Sequence, residues 1–302
     1  MPMLTNMPSR FLGGGRLATP VPVLGAELLA NGDFETWASA TDAGTWTEQV
    51  AGTSTVNRDG TEQRGGTYCA RLDVDGSNNQ ARIYQTRGSL TAGTWYLATA
   101  YVKASAPAKS AVLTWNGQAS NITPGTSYQM VAVINRASGT SHDLIIGKNS
   151  AANASLYLDD ISLKAITLAS MFSTRPYGTH VTVKAQATVV AGTRAGVICN
   201  LDSASSPANF VIGSHDGTTA RLTKNVAGTY TELISTAVSY VAGAYLEIRR
   251  PAGGDIWQLF YNGSQVGADQ TISDAAIKAA TLAGMFNTYH GNVLAGFSCV
   301  PS

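Results

Sequence analysis

Charged side chains are scarce in this sequence. Of its 302 residues, 13% are Asp, Glu, Lys or Arg, about half of the roughly 25% that soluble globular proteins carry. The formal net charge is +1, and no basic run is interleaved with aromatic residues. A near-neutral chain does not attract phosphate backbones, so we expect no nucleic-acid partner. Ser, Thr, Asn, Gln and Gly must instead supply most of the polar surface.

Long apolar runs are also missing. No stretch reaches the 18 or so apolar residues of a membrane-spanning helix, so we expect no membrane insertion. Residues 1–25 lack the apolar core of about 7 to 15 residues that a secretory signal needs. Either the chain leaves the cell by another route or a signal was removed. Met1 at the start favours the first, for which assembly into a virus particle released by lysis is one example.

Cysteine is rare, and its spacing predicts neither a disulfide framework nor a zinc site. The three residues, Cys69, Cys199 and Cys299, are odd in number and widely separated. We expect them to be small buried hydrophobic residues. A bridge between Cys199 and Cys299 stays open as an alternative if their strands are neighbours.

Catalytic motifs are absent from the sequence. The acidic residues of the second half show no two at alternate positions of one strand, as a glycoside hydrolase on a sheet would need. The four histidines are scattered singly, and no nucleophile elbow or phosphate loop occurs. The "SHDG" run at 214–217 is interpreted as a polar hairpin turn. We therefore expect a protein that is not an enzyme, with an unrecognised active site as the weakest alternative.

What the sequence does contain is strand periodicity. In "TWYLATAYVKA", Tyr96, Ala98, Ala100 and Val102 alternate with Trp95, Leu97, Thr99 and Tyr101, which is typical of a strand with one buried face. Similar runs recur with turns every 8 to 12 residues. The pattern predicts an all-β protein with an extended N-terminal arm (1–25) and two tandem antiparallel β-sandwich, or jelly-roll, domains (26–166 and 167–302).

Two local signals refine the second domain. Asn262 and Gly263 in "FYNGSQVG" predict a tight hairpin between alternating strands. The segment "SDAAIKAAT" is the one helix candidate, with Ser273 as its predicted cap.

The first domain resembles a known class of jelly roll. The motif "NGDFETW" (Asn31–Trp37), the strand containing "TAGTWYLATAYVKA" and the closing "LYLDDISL" (Leu156–Leu163) resemble the galactose-binding-like jelly rolls of carbohydrate-binding modules. The resemblance implies neighbouring first and last strands whose acids hold a structural calcium ion. Calcium prefers hard oxygen ligands, and Asp33, Glu35 and Asp160 are the implied ligands, with Asp159 as a substitute. The alternative is that these acids cap turns and bind backbone amides.

The second domain resembles a concanavalin A or laminin G type sandwich through the run "YVAGAYLEIRRPAGGDIWQLFYNGSQVG". Tandem modules of these two kinds behind a Gly/Pro-rich arm resemble bacteriophage structural proteins of the tail-fibre, head-fibre and capsid-decoration types. The resemblance implies a particle-surface location, docking to other virion proteins and association with its own copies, for example as a trimer.

Aromatic side chains are the candidate ligand contacts. Flat apolar rings with amides beside them can stack on sugar rings and bind their hydroxyl groups. The candidates are Trp95, Tyr101, Trp115, Trp46 and Tyr84. For each, a place in the core or in a subunit contact is the alternative. The expected function is a non-enzymatic virion structural protein with weak binding of surface glycans, and the alternative is a free or secreted polysaccharide-binding protein.

Overall fold

The computed structural model describes residues 17–74, 81–106, 110–148 and 154–302. These residues fold almost entirely into antiparallel strands arranged in four sheets. The predicted all-β class with two tandem sandwiches is therefore confirmed. Most of the predicted N-terminal arm, residues 1–16, lies outside the described residues.

The first sandwich consists of two sheets. Sheet I has the strand order β2-β5-β10-β7-β8, and sheet II has the order β3-β4-β11-β6-β9, with β1 paired along the end of β11. In chain order the described strands are β1 (Leu24–Glu27), β2 (Thr47–Val50), β3 (Thr55–Asp59), β4 (Cys69–Val74), β5 (Ala81–Arg87), β6 (Trp95–Ala104), β7 (Ala111–Trp115), β8 (Gln118–Ile122), β9 (Gln129–Arg136), β10 (His142–Lys148) and β11 (Ala154–Ile166).

The second sandwich follows after a 3₁₀ turn at Leu168–Met171. Sheet III has the order β12-β21-β14-β15-β16-β17, and sheet IV has the order β20-β19-β18-β13-β22. The described elements are β12 (Phe172–Pro176), β13 (Val181–Thr188), β14 (Ala195–Leu201), β15 (Asn209–His215), β16 (Thr219–Val226), β17 (Thr229–Ala237), β18 (Ala244–Arg249), β19 (Ile256–Tyr261), β20 (Ser264–Thr271), α1 (Ala275–Ala279), β21 (Leu282–Asn287) and β22 (Val293–Pro301).

The alternation in β6 sets the core of the first sandwich. Tyr96, Ala98, Ala100 and Val102 point between sheets I and II and are 4% exposed or less. The opposite face of the same strand begins with Trp95 and Leu97, which are buried as well. Something other than sheet I must therefore cover that face of sheet II.

The second sandwich provides the cover, because sheet III packs against sheet II. Side chains from the two sheets form a separate apolar layer between the sandwiches. Its buried members are Trp95, Leu97, Ala132, Ile134, Ile166, Met171, Ile198, Leu201, Phe210, Ile212 and Phe286. The molecule is thus a stack of four sheets, I to IV, with three apolar layers. Strand β14, buried at all seven positions, has a layer on each side.

The turns follow local sequence chemistry. Asn262 and Gly263 have φ values of 49° and 82° and join β19 to β20, as a turn with two left-handed residues requires. In the turn after β15, the Asp216 carboxylate accepts N–H bonds from Thr218 and Thr219. Helix α1 begins after Asp274, so Ser273 is not its cap. The Asp274 carboxylate instead binds Lys224 at 2.7 Å.

The described end of the N-terminal segment lies against the rest of the chain. Pro20 and Pro22 are buried, and the Pro20 carbonyl accepts a 2.9 Å bond from the Asn287 side-chain amide. The Val23 N–H donates to the Ser170 hydroxyl at 2.8 Å. This segment is therefore held by the second sandwich before it enters β1.

Cys69, Cys199 and Cys299 are free thiols, and burial raises the pKa of each to about 12. Among the described residues, no helix has the length and apolar character needed to span a membrane.

Candidate functional site

Two of the predicted ligand contacts lie inside the first core. Trp46 is 3% exposed and Trp115 is fully buried. The Trp46 indole N–H donates to the Asn31 carbonyl at 2.9 Å, and the Trp115 ring packs edge-on against His142. The structure therefore corrects the prediction for both tryptophans, because rings packed between sheets I and II present no face to a ligand.

Two others lie partly exposed but apart from each other. Tyr84 is on the outer face of sheet I, where β5 pairs with β2 and β10. Tyr101 is on the outer face of sheet II, on the opposite side of β6 from the first core, and the Arg64 guanidinium covers its ring at 3.6 Å. Neither joins Trp95 in one binding surface, so the five candidates do not converge.

The fifth candidate, Trp95, lines a cavity. Its side chain is 5% exposed and belongs to the layer between the sandwiches. At this edge the two sheets separate and leave a cleft of about 260 Å³. Its lining residues are Trp95, Gln118, Asn135 and Arg136 from the first sandwich and Arg194, Ile212, Ser214, Thr223, Tyr230, Glu232 and Phe286 from the second.

An aromatic pair forms one wall of the cleft. The Trp95 indole N–H donates to the Tyr230 hydroxyl at 3.1 Å, and the two rings meet nearly at right angles with centres 5.8 Å apart. Arg136 lies over both rings, 3.9 Å from the Tyr230 centre and 5.7 Å from the Trp95 centre. Such cation–π contacts fix the direction of the guanidinium group. Burial raises the pKa of Tyr230 and lowers that of Arg136.

Arg194 and Glu232 also line the cleft, and Arg221, outside the lining, binds Glu232. Arg221 Nε lies 2.9 Å from Glu232 Oε1, and Arg194 reaches the same oxygen at 4.0 Å. Arg221 also forms an ion pair with Asp216 behind the cleft. Burial, with a further contribution from nearby Arg221, lowers the pKa of Arg194 to about 10. With a pKa of about 10, Arg194 stays charged at neutral pH.

Local sequence explains how sheet III offers these groups. Arg221, Thr223 and Asn225 alternate with the core residues of β16, so they face sheet II. Thr223 pairs directly with Glu232 of β17, and Asn225 with Tyr230. The second sandwich thus supplies a polar strip at the edge of an otherwise apolar face, and the cleft forms where this strip meets the ends of β6 and β9.

The loop before β14 fixes this junction. Gly192, with φ of 81°, accepts a backbone bond from the Ile134 N–H at 3.0 Å and donates to the Asp216 carbonyl at 3.1 Å. A Cβ at this position would lie 1.8 Å from the Ala132 carbonyl oxygen. Glycine is therefore needed for the close approach of the two backbones next to Arg194.

Three of the four predicted calcium ligands bind protein groups in this structure. Glu35 accepts N–H bonds from Thr67 and Tyr68, which lower its carboxyl pKa. Asp159 accepts bonds from the Arg64 and Gly65 amides, although burial raises its pKa.

The other two predicted ligands are Asp160 and Asp33. Asp160 forms an ion pair with Arg64, and Asp33 is exposed. The described ranges contain no group of three His, Cys, Asp or Glu residues arranged to hold a metal ion. The bonds of Glu35 and Asp159 to backbone amides match the alternative in which these acids cap turns. A calcium site stays a prediction.

Sequence reasoning missed most of the cleft. Arg136, Arg194, Tyr230 and Glu232 are far apart in the chain and come from both domains. One signal was present: Arg136 ends an apolar strand and Arg194 precedes one, in a chain with few charged residues. The pairing of sheets II and III, which brings these ends together, cannot be inferred from strand periodicity.

Comparisons with known proteins give remote structural likenesses. No family model matches the chain, and no curated protein matches it. The tandem CBM22-1–CBM22-2 domain of Xyn10C from Paenibacillus barcinonensis is 10% identical, covers 92% of this chain and 98% of its own, and has a TM-score of 0.37. The TmCBM61 structure with β-1,4-galactotriose is 15% identical over 46% of this chain and 98% of its own, with a TM-score of 0.36.

A phage protein is also among the likenesses. The enzymatically active domain of bacteriophage CBA120 tailspike protein 4 is 16% identical over 46% of this chain, with a TM-score of 0.36. The match spans only 21% of that domain's chain. At TM-scores of 0.36 and 0.37, these likenesses are too remote to identify the fold or the function of this chain.

Proposed function

We propose that this protein is a non-catalytic glycan-binding protein whose ligand occupies the cleft between the two sandwiches. One observation carries the proposal: at this cleft the Trp95–Tyr230 aromatic pair lies beside the exposed amide of Gln118 and the guanidinium group of Arg136. Aromatic rings pack against the C–H faces of sugars, while amides and guanidinium groups bind hydroxyl oxygens. The cleft is lined from two domains, a common location for ligand sites.

The same lining argues against glycoside hydrolysis there. Most glycosidases use two carboxyl groups about 5 to 10 Å apart. Among the described residues that line the cleft, Glu232 is the single carboxylate, and it is held by Arg221 at 2.9 Å. An ion-paired carboxylate without a second acid is suited to orienting neighbours rather than to proton transfer.

We further propose that the protein belongs to the surface of a virus particle, as a capsid-decoration, head-fibre or tail-fibre component that docks on other virion proteins and on its own copies. Supporting this are the low content of charged residues and the arrangement of two tandem modules behind a Gly/Pro-rich arm, which resembles that of phage structural proteins. Weak single-site glycan binding suits such a location, because many copies on one particle convert millimolar contacts into firm attachment. A free polysaccharide-binding protein is the alternative.

The first experiment measures glycan binding by array, followed by calorimetric titration of the best ligand. Gln118 is exposed and lines the cleft, so Gln118→Ala removes an amide without opening the core. Loss of one hydrogen bond of about 0.5–1.5 kcal/mol predicts roughly two- to twelvefold weaker binding. Gln129→Ala, an exposed glutamine outside the cleft lining, is the matched control. An array without any bound glycan would refute the glycan proposal.

The second experiment separates the particle location from the alternative. Particles from a lysate are purified and probed for the chain, and sedimentation gives the size of the isolated protein. We expect co-purification and self-association. A monomer that is absent from particles but binds glycans would support the free polysaccharide-binding protein instead.

A further inference from the structure

The cleft has more positive charge than its carboxylates balance. Arg136, Arg194 and Glu232 line the cleft, and one further arginine and one further carboxylate, Arg221 and Asp216, lie outside the lining next to them. Arg221 takes both acids at close range, and Arg194 reaches only Glu232, at 4.0 Å. Within the described part of the chain, no carboxylate forms an ion pair with Arg136. One positive charge is therefore left over.

Burial makes this imbalance costly in the free protein. The side chains of Arg194 and Arg221 are 12% and 10% exposed, and burial lowers the pKa of Arg136. A cation removed from water without an anion loses much of its solvation energy. An anionic group that entered the cleft would restore the balance.

The two least-paired arginines frame the same aromatic ring. Arg136 comes from the first sandwich and Arg194 from the second, and their guanidinium carbons lie 5.7 Å and 5.5 Å from the Trp95 ring centre. An acidic group between them would meet a donor from each side.

We propose, building on the glycan-binding function above, that the cleft selects sugars bearing a carboxylate, which Arg136 and Arg194 bind. A carboxylate is planar and accepts two parallel N–H bonds from one guanidinium fork. The cleft volume of about 260 Å³ is just below the range of roughly 300–1,000 Å³ for sites that enclose drug-sized ligands. It therefore suits a single acidic sugar unit of a longer chain.

The experiment compares acidic glycans with their neutral counterparts on the full chain. Probes are 3′-sialyllactose against lactose, and oligogalacturonate against its carboxyl-reduced form, with 3′-sulfolactose as a second anion. Affinities are measured by titration at two salt concentrations. We expect at least about tenfold tighter binding of a carboxylated probe than of its neutral partner, since charge-assisted hydrogen bonds contribute about 1.5–3 kcal/mol. Added salt should reduce this preference.

Variants assign the preference to the cleft. Arg136→Gln should abolish most of the acidic preference, measured as the ratio of the affinities for a carboxylated probe and its neutral partner, and Arg136→Lys should keep part of it. Arg175→Gln is the matched control, because it removes the same charge from an exposed arginine outside the cleft lining. Melting temperatures of all variants are measured without ligand, so that a folding defect is recognised.

The outcomes separate the two proposals. Equal affinity for acidic and neutral partners, or an unchanged preference in a folded Arg136→Gln variant, would overturn the carboxylate proposal and leave glycan binding intact. Preference for 3′-sulfolactose over every carboxylated probe would also overturn it. Absence of binding to any glycan would remove the proposed function itself. If Arg136→Gln does not fold, the wild-type comparison of acidic and neutral probes still tests whether the protein prefers carboxylated sugars.

Discussion

At the scale of single residues, His215 shows how burial ties stability to pH. The ring is 1% exposed and stacks on Tyr261 with centres 4.6 Å apart. Its Nδ1 accepts the Gly217 N–H at 2.9 Å, and Asp216, Arg221 and Tyr240 lie around it. Burial lowers its pKa from the ordinary value of 6.5, more than Asp216 raises it. The folded protein therefore holds this imidazole neutral.

The sign of the resulting pH effect follows from proton uptake. Below pH 6.5 the unfolded chain binds a proton at this residue while the folded protein does not, so stability falls as pH decreases. Asp216, whose pKa is lowered by Arg221 and hydrogen bonds despite its burial, contributes its own loss only in stronger acid. We expect the free energy of unfolding to decline between pH 7 and 5, as measured by urea denaturation.

Two variants test the assignment to His215. His215→Phe keeps a ring for the Tyr261 stack but cannot titrate, so its decline from pH 7 to 5 should be shallower than in the wild type. His290→Phe changes an exposed histidine and should retain the wild-type slope. The same slope in His215→Phe as in the wild type would show that another group causes it.

At the scale of elements, alternation predicted which side of a strand meets its own core. The residues of β6 divide as expected, with Tyr96, Ala98, Ala100 and Val102 in the first core. The pattern could not tell whether the other side meets water or a second domain, because Trp95 and Leu97 are apolar in either case. Trp95 was thus correctly placed on the outer side of the strand, but its neighbours Arg194 and Tyr230 were not foreseeable.

The loop at Gly192 decides how closely the domains meet. Gly192→Ala would place a methyl group against the Ala132 carbonyl and force alanine into a left-handed conformation. We expect a loss of about 2–5 kcal/mol in unfolding free energy, from roughly 1–2 kcal/mol of backbone strain and 1–3 kcal/mol of overpacking. Glycan affinity should fall as well, because the cleft walls come from both sides of this contact.

Gly228 offers a matched control for the backbone contribution. Its φ of 87° is similar, but a Cβ there would meet no atom within 4 Å. Gly228→Ala should cost only the strain of about 1–2 kcal/mol and leave binding unchanged. Equal losses in the two variants would mean that the contact with Ala132 does not matter.

At the scale of the whole molecule, the middle apolar layer joins the sandwiches into one body. Phe210 is fully buried in this layer, with Phe172 at 5.3 Å and Tyr230 at 5.8 Å between ring centres. Phe210→Ala should cost about 3–5 kcal/mol through the cavity that it leaves. In calorimetry we expect one transition for the wild type and two for the variant, because the domains lose their coupling.

Phe260 provides the comparison on a free face. It lies on the outer side of sheet IV, half-buried beneath the Arg249 guanidinium at 3.7 Å. Phe260→Ala should lower the melting temperature less and leave a single transition. Two transitions in the wild type would show that the middle layer does not couple the domains.

Composition and periodicity were enough to predict the all-β class and the tandem sandwiches, because each strand reports its own buried side. They could not predict the order of the four sheets. The contact between sheets II and III depends on which outer faces are apolar over two dimensions, and residues such as Ile134, Phe210 and Phe286 come from strands distant in the chain. The cleft is a product of that contact, which is why the candidate aromatics were scattered rather than converging.

A cleft shared by both sandwiches has a mechanical consequence. A sugar bound there would contact Arg136 of the first sandwich and Arg194 of the second, so it would connect the two domains. Movement of one sandwich along the other would then require breaking these bonds in addition to disrupting the middle apolar layer. Binding to a glycan-bearing surface would therefore make the contact between the two sandwiches more resistant to mechanical load.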